Sequence, residues 1–192
     1  VRLNGRLARI QTAALLVAFA VPSPVWARPS VDLSSIRIDN FGQVNDHYYR
    51  GAQPQGHDYA DLAALGVKTI IDLTKDGDPA EASLARAAGM HFFRIPMTTH
   101  ERPSVEAIAQ FLSLVNNPAN APVYVHCQGG RHRTGVMTAI YRMTDDGWTP
   151  DRAFAEMKQY KFGADYLHRE FKEFVYGFHP SAGAVAAGPG SR

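Results

Sequence analysis

Three short apolar runs, Val67 to Leu73 (VKTIIDL), His91 to Ile95 and Pro122 to His126 (PVYVH), are each followed by a stretch with helix start and stop signals. Runs of this length, rich in β-branched residues, read as buried strands. Strands alternating with helices define an α/β domain whose central, mostly parallel sheet is flanked by helices. The helix signals are local. Tyr59 to Leu65 is stopped by Gly66, and Asp78-Pro79-Ala80-Glu81 places Asp at an N-cap, Pro at the first helical position and Glu three after the cap. That helix runs to Ala88 and ends at Gly89. Ser104 caps a helix through Val115, with Ile108, Phe111, Leu112 and Val115 on one face. Thr134 to Asp146 is closed by Gly147, Thr149-Pro150 opens a helix to Tyr160, and Leu167 to Phe178 is the last helix. Ahead of them, Ile36 to Ile38 and His47 to Arg50 read as short strands, and Gly51-Ala52-Gln53-Pro54 as the turn after the second.

No internal repeat or linker divides this pattern, so residues 28–180 are expected to form a single domain. The 192 residues are 45% hydrophobic and 10% aromatic, enough for one ordinary core. A formal net charge of +2 argues against a surface built for nucleic acid. One Cys excludes an internal disulfide framework and any multi-thiolate metal centre. The other histidines, His47, His57, His91, His168 and His179, show no metal-ligand spacing.

The N-terminus reads as an address. Arg2, Arg6 and Arg9 precede an apolar stretch from Thr12 to Val21, Pro22 and Pro24 break it, and Val25-Trp26-Ala27 ends on a small residue. This is the three-part pattern of a secretory signal over residues 1–27. Its removal takes away three arginines and no acids, leaving 17 − 18 = −1. The expected location is periplasmic or secreted, with a membrane involved only through an uncleaved signal. The last residues, 181–192 (SAGAVAAGPGSR), read as a flexible tail.

The single Cys stands where the third of these runs ends. The segment is His126-Cys127-Gln128-Gly129-Gly130-Arg131-His132-Arg133-Thr134-Gly135. Ligands of parallel sheets sit outside the carboxyl ends of the strands. Between Cys127 and Arg133 the intervening residues can curl into a cup with their N–H groups inward, and Gly129 and Gly130 permit the backbone angles. The following helix adds its free N–H groups and the positive end of its dipole. Such a cup takes a tetrahedral dianion. Gln128, Gly129, Gly130, Arg131, His132 and Arg133 would bind it, with Arg133 gripping two of its oxygens. The same field favours a thiolate at Cys127, the form that attacks. Thr134 can donate its hydroxyl to the sulfur, and His126, behind the nucleophile, is expected to order the loop.

HCQGGRHRTG resembles the HCxxGxxR(S/T) loop of cysteine-dependent protein tyrosine and dual-specificity phosphatases, and within them the atypical group of plants and fungi. Tyr49-Arg50-Gly51-Ala52-Gln53-Pro54 and Leu65-Gly66-Val67-Lys68-Thr69-Ile70-Ile71-Asp72-Leu73 are similar to two further motifs of that group. The resemblance covers roughly residues 47 to 160. It implies an α/β phosphatase fold, no metal or other cofactor, and a phospho-cysteine intermediate on Cys127. The substrate would be a phosphorylated protein or a small polyanionic phosphate.

One departure stands out. These phosphatases usually carry an Asp general acid on the loop that here reads Pro96 to Pro103, and this loop holds none. Glu101, His100 or, from the preceding strand-to-helix loop, Asp76 would have to serve. Arg131 and His132 at the outer rim fit an inositol polyphosphate or phytate-type substrate as an alternative. A phosphate-binding pseudophosphatase is a third reading, opposed by the intact Cys127 and Arg133. An arsenate reductase or sulfur carrier is a fourth, opposed by the lack of a second Cys. The oligomeric state has no signature in the sequence.

Overall fold

The computed structural model describes residues 32–180. The expected signal, 1–27, and tail, 181–192, lie outside the described residues. Five strands form one sheet: β1 (Gly42–Asn45), β2 (Tyr48–Ala52), β3 (Thr69–Thr74), β4 (His91–Met97) and β5 (Val123–Cys127). Their order is β1-β2-β5-β3-β4. Only β1 runs antiparallel to its neighbour; β2, β5, β3 and β4 are mutually parallel. Among the described residues six helices cover it: α1 (Asp58–Ala64), α2 (Glu81–Ala87), α3 (Val105–Val115), α4 (His132–Thr144), α5 (Pro150–Gln159) and α6 (Arg169–Gly177). The α/β class with a mostly parallel sheet is the one the alternating pattern predicts.

Strand alternation sorts the side chains onto two faces. Ile71, Leu73, Val123 and Val125 join the larger cluster with Phe111, Val136, Ile140 and Phe171. Ile70 and Tyr124 point the other way, to Leu62, Val67, Ala85 and Met90. α4 is buried along nearly its whole length, from Arg133 to Tyr141, as the central helix of the larger layer. The same alternation sends Cys127 to the α4 side, with Val123 and Val125, and leaves its neighbour His126 on the opposite face.

Several local readings shift. Ile36 to Ile38 is not a strand; the first strand is β1, a few residues later, and the 3₁₀ turn Leu33–Ser35 stands before it. Ile36 and Ile38 are buried nonetheless, in the smaller cluster. Gly51 and Ala52 belong to β2, paired in parallel with His126 and Cys127, so the turn begins later. α2 begins at Glu81 with Ala80 at the cap; Asp78 instead accepts the Ala80 N–H at 2.8 Å, closing a turn ahead of the helix. α4 starts at His132, and the final helical segment is a 3₁₀ turn, Asp165–His168, followed by α6. Ser104 and Thr149 cap α3 and α5 through their side chains as expected.

Candidate active site

The carboxyl ends of the four parallel strands gather on one edge of the sheet, and the connections leaving β2, β3, β4 and β5 surround Cys127. Gln128 to Arg131 form a tight loop that passes directly into α4. Cys127, Gln128, Gly129, Arg131, His132 and Arg133, with Thr99 from the β4–α3 connection, line a cup of about 220 Å³. Gly130 is the pivot, with φ +63. A Cβ there would stand 2.3 Å from the Gly51 carbonyl carbon, so the loop and β2 meet backbone to backbone.

Cys127 lies at the floor, 3% exposed. Burial alone pushes its thiol up, but the Thr134 hydroxyl and N–H, the Arg133 charge and the Arg131 N–H outweigh it, leaving the thiol below its ordinary range. The Thr134 hydroxyl is fully buried with no hydrogen-bond partner of good geometry among the described residues, and it is one of the groups that lower the Cys127 thiol. Arg133 makes one hydrogen bond, Nη1 donating to the Met97 carbonyl at 3.2 Å, while its buried Nε has no partner among the described residues. A buried guanidinium N–H without an acceptor is costly unless a ligand supplies one. A phosphoryl oxygen in the cup would do so.

The rim differs from expectation. Arg131 is half-exposed and 3.5 Å from Asp39. His132 is not a solvated rim cation. Its Nε2 lies 2.9 Å from the Phe162 carbonyl, and its ring centroid is 3.6 Å from that of His168, the two planes tilted by 34°. Burial first, then His168, push its pKa down to about 4. The ring is therefore neutral near neutral pH and adds no charge to the mouth.

The three acid candidates separate. Glu101 accepts the Thr98 hydroxyl at 3.1 Å and, with His100, lines neighbouring grooves rather than the cup. Asp76, nine-tenths exposed on the β3–α2 connection, has a carboxylate oxygen 3.9 Å from Arg133 Nη1.

Behind Cys127 is an arrangement that no motif announced. His126 is fully buried, with Nε2 2.8 Å from Glu81 Oε1 and off the line of a good hydrogen bond; Nδ1 is 4.0 Å from Asp72 Oδ1. Asp72 accepts from the Thr74 N–H and hydroxyl, both at 2.8 Å, and from Arg94 Nε at 2.6 Å. So His126 meets two carboxylates, one at each ring nitrogen. These side chains could be grouped as metal ligands. However, the two carboxylates face different ring nitrogens, and Arg94 already neutralises Asp72, so the cluster is better described as a brace under the loop. Glu81 could not be singled out from sequence, because three residues after an Asp it mimics a capping box.

A parallel sheet ending in a thiolate cup, closed by an arginine on the following helix, defines the class of cysteine-dependent phosphatases. A family profile described as "DSP-PTPase phosphatase fused to NAD+ Kinase" matches residues 28–173, and the chain belongs to that family of dual-specificity phosphatases. The dual specificity protein phosphatase TpbA of Pseudomonas aeruginosa is 30% identical over 175 residues, covering 91% of this chain and 74% of the relative. The crystal structure of TpbA superposes with a TM-score of 0.66 at 29% identity, covering 86% of this chain and 97% of that one, and TpbA has also been solved in complex with phosphotyrosine. The catalytic core of the Saccharomyces cerevisiae protein SIW14, named an inositol diphosphatase and solved with citrate, matches at TM-score 0.65 and 26% identity over 74% of this chain and 86% of that chain.

Proposed function

We propose that the protein hydrolyses phosphomonoesters of the phosphotyrosine or dual-specificity type through a phospho-cysteine on Cys127. The observation that carries this is the buried thiol held below its ordinary range at the floor of a cup whose arginine keeps an unpartnered N–H. The thiolate attacks phosphorus and forms the P–S bond as the P–O bond to the leaving group breaks. Arg133 and the N–H groups of the loop take up the charge on the three non-bridging oxygens. Asp76, the carboxylate next to Arg133, gives its proton to the departing oxygen. Water then attacks the phospho-cysteine and loses its proton to Asp76, and the P–S bond breaks with Thr134 stabilising the departing sulfur. Inorganic phosphate and the thiolate result. TpbA with phosphotyrosine supports the substrate class.

A second reading has one observation in its favour. Among the described residues, no carboxylate lines the cup itself. A phosphoanhydride, as in an inositol diphosphate, leaves as a stable phosphate and needs little help from an acid. SIW14 supports this variant of the same chemistry. Residues 1–27 support a periplasmic or secreted setting, 28–180 the catalytic domain and 181–192 a tail.

The deciding experiment is phosphate release from phosphotyrosine peptide, phosphoserine peptide, an inositol polyphosphate and pyrophosphate, with reductant present. Turnover is expected to vanish in Cys127→Ser while phosphate binding persists. Wild-type-like activity in that variant would sink the mechanism. A marked preference for the inositol polyphosphate or pyrophosphate over the phosphopeptides would move the substrate to the second reading.

A further inference from the structure

Two side chains far apart in sequence converge on one carbonyl of the loop. Asn40 Nδ2 donates to the Gly130 oxygen at 2.8 Å, and Arg50 Nη2 donates to the same oxygen at 2.9 Å. Both lone pairs of that oxygen are thereby engaged from outside the cup. In a trans peptide the carbonyl and the following N–H point to opposite sides. Pinning the Gly130 carbonyl outward therefore aims the Arg131 N–H inward, toward Cys127. We infer that Asn40 and Arg50 are positioning residues that hold the Gly130–Arg131 peptide so that its N–H serves the thiolate and then the phosphoryl oxygens.

The inference rests on Cys127 being the nucleophile of the proposed reaction. Three observations support it. The Arg131 N–H is among the groups that lower the Cys127 thiol. Asn40 sits at φ 57, a left-handed conformation that Asn tolerates better than most side chains, and its amide also reaches the Tyr160 carbonyl at 2.9 Å. Arg50 is fully buried on β2, with Nε and Nη1 unpartnered and its guanidinium 3.9 Å over the Tyr160 ring. An apolar residue would fill that place at lower cost. The position of one peptide plane gives the buried cation a purpose. Gly130 has little room to adjust, because even a Cβ built on it would stand 2.3 Å from the Gly51 carbonyl carbon.

Asn40→Gly is the cleanest test, since glycine favours the left-handed backbone and removes only the amide. Arg133 and Arg50, the cations whose charges act on Cys127, stay in place. The full chain is compared with wild type by the pH midpoint of Cys127 alkylation with iodoacetamide, by inhibition with vanadate, and by thermal melting. Loss of one oriented donor is expected to raise the alkylation midpoint by about one pH unit and weaken vanadate about tenfold. Asn40→Asp, which turns a carboxylate toward two carbonyls, is expected to shift both further. Arg50→Lys, which can keep one donor on the oxygen, is expected to retain more vanadate sensitivity than Arg50→Met. If Asn40→Gly keeps the wild-type midpoint and vanadate sensitivity, with or without a lower melting temperature, its role is structural and the inference falls. Should Asn40→Gly not fold, Asn40→Ser is read against the same outcomes. A wild-type chain with an ordinary thiol and no vanadate inhibition would overturn the parent reading instead.

Discussion

At the scale of single residues, the chemistry depends on which groups face Cys127. Asp76 pairs with Arg133, whereas Glu101 is tied to Thr98. Asp76→Asn is expected to slow phenyl phosphate, a poor leaving group, by about ten- to a hundredfold. It should change p-nitrophenyl phosphate little, and Glu101→Gln should leave both near wild type. The ratio of the two turnover numbers in each variant checks this, and a selective loss in Glu101→Gln would hand the role to the β4–α3 connection. His132 makes a different prediction. Its folded pKa is lowered from 6.5 to about 4, so the unfolded chain takes up the proton first. The stability it contributes is complete above pH 6.5 and is lost as pH falls toward about 4. The drop in melting temperature between about pH 7 and about pH 4.5 should be smaller in His132→Gln than in wild type. Cys127, Arg133 and Thr134 were legible in the sequence because their spacing is itself the motif. The neutrality of His132 was not, because it comes from burial first and then from His168, which packing alone brings beside it.

At the scale of elements, the strand–loop–helix from β5 to α4 is the unit that matters. Its glycines were recognisable as permissive positions, but the contact that makes Gly130 obligatory lies on β2. Gly130→Ala would place a methyl 2.3 Å from the Gly51 carbonyl carbon in a left-handed backbone. A loss of about 2 kcal/mol or more in stability and of about a hundredfold or more in turnover is expected. Urea denaturation and steady-state kinetics on the same preparation check both. The helix boundaries that shifted did so for a shared reason. Asp78 has a valid local hydrogen bond to Ala80, yet Glu81 is drawn inward to His126 of the neighbouring strand, and α2 starts where that tertiary contact sits. Ile36 and Ile38 have strand composition, but they bury themselves in the smaller cluster without any partner strand.

At the scale of the whole molecule, the sheet is a rigid plate with the reacting loop on its edge, and the larger helical layer holds α4 in place. Phe111 of α3 is fully buried and packs edge-on to Tyr48 of β2, their ring centroids 6.3 Å apart. Phe111→Ala is expected to cost about 3–5 kcal/mol in unfolding free energy. The molecules that remain folded should keep the wild-type KM, since Phe111 does not line the cup. Denaturation midpoints, together with KM measured well below the melting transition, test the separation.

By itself the sequence determined the alternating α/β architecture, the strand that ends in Cys127 and the cup-forming loop between it and Arg133. These follow from short-range rules: periodicity, caps, and a motif confined to one loop. Only the tertiary structure decided that β5 lies between β2 and β3, and that Asn40 and Arg50 meet at Gly130. It also decided that Asp72 and Glu81 close on His126, and that Asp76 rather than Glu101 stands beside Arg133. Each joins segments separated by tens of residues. A polar side chain reads the same in sequence whether it ends in solvent or against a buried partner, and only the packing of the sheet and its connections chooses between them.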